Sequence, residues 1–233
     1  RNNNELVAIL GNFINRTLVL SRNYYKGEVP APAEINEYDR STLDSIATCK
    51  AGVESNLEAF RFRQALAEAM NLARLGNKYL ADTEPWKVIK TDPDRVRTIM
   101  YISLQITANL AIILEPFLPF SMDTLRGWLN ITTLHWDDAG ADNLLKPGHK
   151  VSSGELMFSK FEDAKIEKQI KKLHDTRMAN KETVAPSLPQ KEDVSFEDFS
   201  RMDIRTATIL EAEKVAKTTK LIKLKVDTGL DIR

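Results

Sequence analysis

Two short groups of residues carry side chains suited to holding unstacked nucleotide bases. Near the start of the chain, Asn12 and Arg16 are four residues apart and therefore share one face if this segment is helical. Further along, Pro85 and Trp86 follow a predicted helix end, where an indole ring is able to point outward. Amide, guanidinium and indole groups bind splayed bases by edge hydrogen bonds and by stacking. These four residues predict a site for single-stranded RNA.

The composition limits the kinds of protein this chain belongs to. Its 33 basic residues are balanced by 33 acidic ones, which argues against binding through a general basic surface and leaves recognition by a few residues. The single Cys49 has no partner for an internal disulfide, which favours a reducing cytoplasm. No apolar run is expected to span a membrane, since polar residues interrupt the richest stretch, 104–120. The three scattered histidines do not predict a metal site.

The spacing of apolar residues predicts an all-α helical bundle over residues 1–180. The helix that follows Asp92 has the clearest start, because a capping residue precedes Pro93 at the first helical position. On the first helix, Asn12 and Arg16 lie beside the apolar stripe rather than within it. The predicted helices cover about 4–25, 33–56, 61–82, 92–114, a shorter segment capped by Ser121, and 159–180.

The composition changes after the predicted bundle. Residues 181–194 contain prolines and few core-forming residues, so they are interpreted as a linker. Alternating apolar residues then predict a hairpin, with strands at 204–210 and 222–226 joined by residues 214–220. A lone hairpin is only marginally stable, and the chain starts without Met, so we expect a piece of a longer protein with further strands.

These residues resemble the C-terminal part of the methionyl-tRNA synthetase family. The resemblance covers essentially the whole chain and is carried by the order and spacing of its motifs. The motifs are Gly11–Arg16, Asn77–Tyr79, Glu84–Trp86, Leu144–Val151, Phe199–Arg205, Ile209–Glu213 and Lys220–Asp227. The resemblance implies an anticodon-binding bundle of the class I synthetase type at 1–180, the linker at 181–194, and an incomplete OB-fold tRNA-binding domain at 195–233.

The same resemblance implies roles for individual residues. Trp86 would stack on the first anticodon base, with Pro85 fixing the indole, while Asn12 and Arg16 would bind edges and phosphates of neighbouring anticodon nucleotides. Some relatives carry a further Asn at the position of Ala8, so that contact is missing here or supplied elsewhere. The candidate contacts to the tRNA backbone are Arg205, Lys220, Lys223 and Lys225.

The active-site motifs of that family are not found in this chain. Neither a His-Ile-Gly-His-like motif nor a Lys-Met-Ser-Lys-Ser-like loop occurs. The resemblance therefore implies a non-catalytic part of an ATP-dependent methionine–tRNA ligase, with no cofactor of its own. ATP, and zinc where present, would belong to a catalytic domain outside these residues. The implied partners are methionine tRNA and that catalytic domain, onto which the apolar stripe of the last helix is expected to dock.

Other interpretations of the residues stay open. The bundle and tail also fit a protein–protein docking or oligomerisation scaffold. A related class I synthetase has similar helices, and only the order of the motifs argues against it. A homodimeric parent is one further possibility that the sequence leaves undecided.

Overall fold

The computed structural model describes residues 2–152, 154–182, 192–216, 218 and 220–233, and in this part of the chain the protein is mainly helical with one two-stranded sheet. The chain divides into two compact units, Arg1–Lys171 and Lys172–Arg233. This confirms the mainly helical prediction. Most of the predicted linker, 183–191, lies outside the described residues.

The helices follow one another with short connections. A π-helical segment, Asn2–Gly11, continues directly into α1, Asn12–Tyr25. The remaining helices are α2 Glu37–Glu58, α3 Phe62–Thr83, α4 Pro85–Val88, α5 Pro93–Ile113, α6 Pro119–Leu129, a 3₁₀ turn Trp136–Asp138, α7 Asp163–Glu182 and α8 Phe196–Ser200. The short α4, the 3₁₀ turn and α8 were not predicted.

Helix α5 is the centre of the bundle. Its residues from Thr98 to Ile113 are all buried, with α1, α2, α3 and α6 packed around it. Its polar residues hold an irregular segment in place: Gln105 exchanges two hydrogen bonds with the backbone of Leu145, at 2.7 and 3.0 Å. Asn109 donates to the carbonyl of Ala141 and accepts from the amide of Gly140. Buried amides are tolerated because each one is satisfied in this way.

The apolar composition of α5 bears on the prediction that no run spans a membrane. By length and composition alone, α5 is long and apolar enough to cross a membrane, although the sequence predicts no spanning run. In the folded chain, 94% of its most apolar window is buried, as in the core helix of a bundle. One such helix is weak evidence for a membrane span.

The ends of the helices agree with the predicted signals in some places only. Asp92 accepts from the amide of Arg95 at 2.9 Å, confirming the predicted cap of α5. Helix α2 begins at Glu37 rather than near residue 33, because Asn36 forms a reciprocal capping box with Asp39. Ser121 does not cap α6, which begins two residues earlier because Pro119 occupies its first position.

The last helix of the bundle region carries an exposed apolar stripe. Helix α7 begins at Asp163, four residues later than predicted. Before it, the side chain of Asn3 exchanges hydrogen bonds of 2.8 and 2.9 Å with the backbone of Phe161. The apolar residues on and just before α7 are exposed, namely Phe161, Ile166, Ile170 and Leu173.

Among its described residues, the second unit contains one antiparallel hairpin. Strands β1, Thr208–Lys214, and β2, Ile222–Asp227, pair with a register shift between Ile209 and Glu211. Strand β1 starts later than the sequence predicts and includes Lys214, for which the sequence predicts a place in the loop. Phe196 and Phe199 are exposed, along with most apolar residues of the hairpin.

Candidate nucleic-acid interface

The close approach of α1 to α3 builds the floor of the candidate site. Phe13 is fully buried, and its ring lies so close to Gly76 that an added Cβ there would be 2.5 Å from the ring. Any larger residue at position 76 would push the two helices apart. Glycine in the middle of α3 therefore brings Asn12, the neighbour of Phe13, next to Asn77.

Asn12 is held by an amide partner from α3. Its Nδ2 donates to Oδ1 of Asn77 at 3.0 Å. The Nδ2 of Asn77 in turn donates to two backbone carbonyls, that of Ile9 at 2.9 Å and that of Ala73 at 3.0 Å. Asn12 itself is exposed, in agreement with its predicted position beside the apolar stripe. The site thus presents the amide of Asn12, which is held in place by its hydrogen bond to Asn77.

A tight turn at the end of α3 sets the orientation of Pro85 and Trp86. Glu84 adopts a left-handed conformation (φ 41°, ψ 55°), where its N–H bonds the carbonyl of Leu80 and ends α3. Pro85 is buried at the first position of α4, which fixes the backbone before Trp86. Non-glycine residues in this conformation are uncommon and often occur at functional sites. The turn returns the chain toward α1.

Arg16 and Trp86 meet at this point. The guanidinium carbon of Arg16 lies 4.7 Å from the centroid of the Trp86 ring, which is cation–π geometry. Trp86 is still 37% exposed, so part of its ring is available to a ligand. Within the described residues, no carboxylate lies within ion-pair distance of Arg16, in contrast to Arg74 and Arg126. The structure therefore brings Asn12, Arg16 and Trp86 to one surface, with the buried Pro85 holding the backbone before Trp86.

A buried ionic network supports α3 just behind the site. Asp39 of α2 is fully buried, and both of its oxygens bond the guanidinium of Arg95 on α5. Tyr79 of α3 donates to the same carboxylate at 2.6 Å. Burial alone would raise the pKa of Asp39, but the hydrogen bonds from Arg95, Tyr79 and the backbone of Asn36 hold it below its ordinary value. Burial and the bond to Asp39 raise the pKa of Tyr79.

The four basic residues predicted in the tail are placed in the second unit. Arg205 bonds both oxygens of Asp203 at 2.8 Å, and Lys225 is ion-paired with Glu211 at 2.9 Å. Lys223 lies opposite Glu213 in the hairpin register, while Lys220 is exposed before β2. Carboxylates beside three of these cations reduce the positive potential that a phosphate would meet.

Asn77 is the residue of this site for which the sequence predicts no role of its own. Asparagine is unfavourable inside a helix because its amide competes for backbone hydrogen bonds. Its presence in the middle of α3 is thus a signal, although the partner on α1 is not visible from the sequence. Across the described residues, no group of three His, Cys, Asp or Glu side chains is placed to hold a metal ion.

Sequence comparison finds close similarity to methionine–tRNA ligases. A family model described as the anticodon binding domain of methionyl tRNA ligase matches residues 29–178, a range that includes Trp86 but not Asn12. The methionine–tRNA ligase of Parabacteroides distasonis is 54% identical over 100% of this chain. That of Flavobacterium psychrophilum is 51% identical, again over 100% of the chain. The chain spans about a third of each relative, 34% of its length.

Solved structures show the same fold. The apo form of Mycobacterium tuberculosis methionyl-tRNA synthetase aligns with a TM-score of 0.63 and 22% identity, covering 70% of this chain and 34% of that one. The methionyl-adenylate complex of the same enzyme gives a TM-score of 0.62 and 23% identity, over 69% of this chain and 32% of that one. At this level of identity the likeness concerns the fold.

Proposed function

Because this chain belongs to the methionyl-tRNA ligase family through its anticodon-binding domain, we propose that it recognises methionine tRNA with the surface formed by Asn12, Arg16 and Trp86, where Pro85 fixes the position of Trp86. The observation that carries this proposal is the stacking of Arg16 on a partly exposed Trp86, next to an anchored amide. Planar cationic and aromatic groups stack bases, and a fixed amide reads their edges. These are the requirements for reading single-stranded anticodon nucleotides.

The charge distribution supports selective recognition over general phosphate attraction. The chain has no net charge, so little affinity comes from a broad basic field. Arg16 has no carboxylate partner among the described residues, and its charge is therefore available to a nucleotide phosphate. The positive charge of Arg16 therefore attracts a phosphate locally, next to Trp86, rather than over a broad surface.

For the whole protein we propose methionine–tRNA ligation, carried out by a catalytic domain outside these residues. ATP, and zinc where the parent holds it, would bind there, and the enzyme would work in the cytoplasm. The exposed apolar stripe of α7 would then dock on that domain. The hairpin would be the start of an OB-fold, since the apolar faces of Ile222 and Leu224 are uncovered in the described part of the chain. Arg205, Lys220, Lys223 and Lys225 would contact the tRNA backbone only weakly.

The direct test measures binding of methionine tRNA and of the same tRNA with its first anticodon base replaced. Stacking of one base contributes about 1–3 kcal/mol, so Trp86→Ala is expected to weaken binding by roughly 5- to 150-fold. Phe120→Ala is the matched control, because Phe120 is an 88% exposed aromatic on another helix. Binding that is insensitive to both the anticodon and Trp86 would refute anticodon reading. Self-association without RNA binding would favour the scaffold alternative.

A further inference from the structure

The orientation of the Asn77 amide is fixed by its hydrogen bonds. Its Nδ2 faces two backbone carbonyl oxygens, those of Ile9 and Ala73, at 2.9 and 3.0 Å. Carbonyl oxygens only accept, so the group facing them must be the NH₂. The Oδ1 of Asn77 is therefore the atom that faces Asn12, and the group of Asn12 that faces it must be a donor.

This arrangement fixes the amide of Asn12 in turn. With its NH₂ held by Asn77, the Oδ1 of Asn12 is turned away from Asn77 on an exposed side chain. Rotation of this amide by half a turn would place two oxygens against each other and lose the hydrogen bond. An exposed asparagine without such a partner would rotate freely and offer either a donor or an acceptor.

We infer that Asn77 is a specificity-determining positioning residue, which holds the Asn12 oxygen outward so that it selects a base carrying an exocyclic amino group. This inference rests on the proposed anticodon recognition. Cytosine and adenine present an amino donor where uracil and guanine present a keto oxygen. The keto group would meet the Asn12 oxygen and repel it. Both of the first two bases of the methionine anticodon, CAU, carry the amino group.

The experiment compares anticodon stem-loop RNAs that exchange one amino group for a keto group. The probes are loops with the anticodons CAU, UAU and CGU, each bound to the intact chain and to its variants. The measured quantity is the ratio of dissociation constants between CAU and each altered loop. Asn77→Ala is expected to reduce this ratio by roughly 2- to 10-fold for the loop altered at the base that Asn12 contacts, either the first or the second anticodon base. This range corresponds to the net contribution of one hydrogen bond.

Two further variants separate orientation from simple loss of structure. Asn77→Asp keeps an acceptor for Asn12 while losing the donors to the two carbonyls, so it should retain the wild-type ratio despite weaker binding to all loops. Asn71→Ala removes another asparagine of α3, one that bonds only side chains of its own helix, and should change nothing. Thermal unfolding followed by circular dichroism verifies that each variant is folded.

The outcomes distinguish the inference from the function on which it rests. Loss of discrimination in Asn77→Ala with rescue in Asn77→Asp is the expected result. Discrimination by the wild type that persists unchanged in Asn77→Ala would overturn the role of Asn77 and leave anticodon reading intact. Equal binding of all three loops by the wild type would overturn both.

Discussion

Replacing Asp39 by asparagine tests the buried network that supports the site. The carboxylate is fully buried and accepts from both terminal nitrogens of Arg95, from the Tyr79 hydroxyl and from the Asn36 backbone. Asparagine has nearly the same shape, but its NH₂ would face donors and leave Arg95 without a counter-ion. The substitution therefore removes the ion pair without creating a cavity.

The expected loss of stability is large for one substitution. Breaking a buried ion pair by removing one partner costs about 3–5 kcal/mol. The Arg95 side chain is 22% exposed and keeps some contact with water, so we expect the lower end, about 3 kcal/mol. For a domain of this size, this corresponds to a fall in melting temperature of roughly 6–12 °C. Asp44→Asn, at an exposed position of the same helix, is the control and should change little.

The stability contributed by Asp39 is expected to depend on pH in one direction. The pKa of Asp39 is lowered in the folded protein, so its contribution to stability is present above the ordinary aspartate pKa of about 3.9. That contribution is lost as the pH falls through the lower, folded-state pKa. The difference in unfolding free energy between wild type and Asp39→Asn should be constant from about pH 5 to 7 and shrink below about pH 4.

Urea unfolding at several pH values provides the measurement. The unfolding free energy of both proteins is compared at each pH, with Asp44→Asn measured in parallel. A difference below about 1 kcal/mol at neutral pH would show that the network contributes no more than a surface ion pair. A difference that is undiminished at acid pH would refute the assignment of the effect to the carboxylate charge.

Three further predictions concern packing, reactivity and stacking. Gly76→Ala should destabilise the protein by about 1–3 kcal/mol and weaken RNA binding, because its Cβ would collide with Phe13; urea unfolding measures the first effect. Cys49 is buried and its pKa is raised to about 12, so alkylation at pH 8 should be slowed roughly a thousandfold or more relative to the unfolded chain, as followed by mass spectrometry. Arg16→Gln should uncover Trp86 and increase acrylamide quenching of tryptophan fluorescence.

Each of these predictions has its own control. Gly127→Ala places a methyl group in a helix where nothing lies within 4 Å, so it should leave stability unchanged or raise it by about 0.5–1 kcal/mol. Equal effects at Gly76 and Gly127 would contradict the packing argument. Rapid alkylation of native Cys49 would contradict its burial. Added to a protein that already lacks Trp86, Arg16→Gln should not change the quenching, and an equal increase there would point to another tryptophan.

The proposed recognition surface lies between elements that are distant in the chain. Asn12 is 65 residues from its partner Asn77, and Trp86 reaches Arg16 from the far end of α3. The glycine that permits the close approach and the buried network at Tyr79 both act on the α3 segment between these contacts. Changes that loosen α3 are therefore expected to weaken RNA binding even where they touch no nucleotide.

Local signals in the sequence determined the helices and most of the site. Apolar residues at helical spacing predicted the bundle, and the Asp92–Pro93 pair predicted the start of α5, because caps and stripes act within a few residues. The separation of Asn12 and Arg16 by one helical turn and the Pro-Trp pair after α3 identified four residues of the candidate surface. Start signals that competed over a few residues were placed wrongly, as with Ser121 and Pro119.

The tertiary structure alone decided how these residues meet. The stacking of Arg16 on Trp86, the anchoring of Asn12 by Asn77 and the ion pair of Asp39 with Arg95 join different helices. Their partners are selected by packing over tens of residues, which no local spacing encodes. A sequence pattern fixes which face of a helix a side chain occupies, whereas the neighbour it meets depends on how the helices pack.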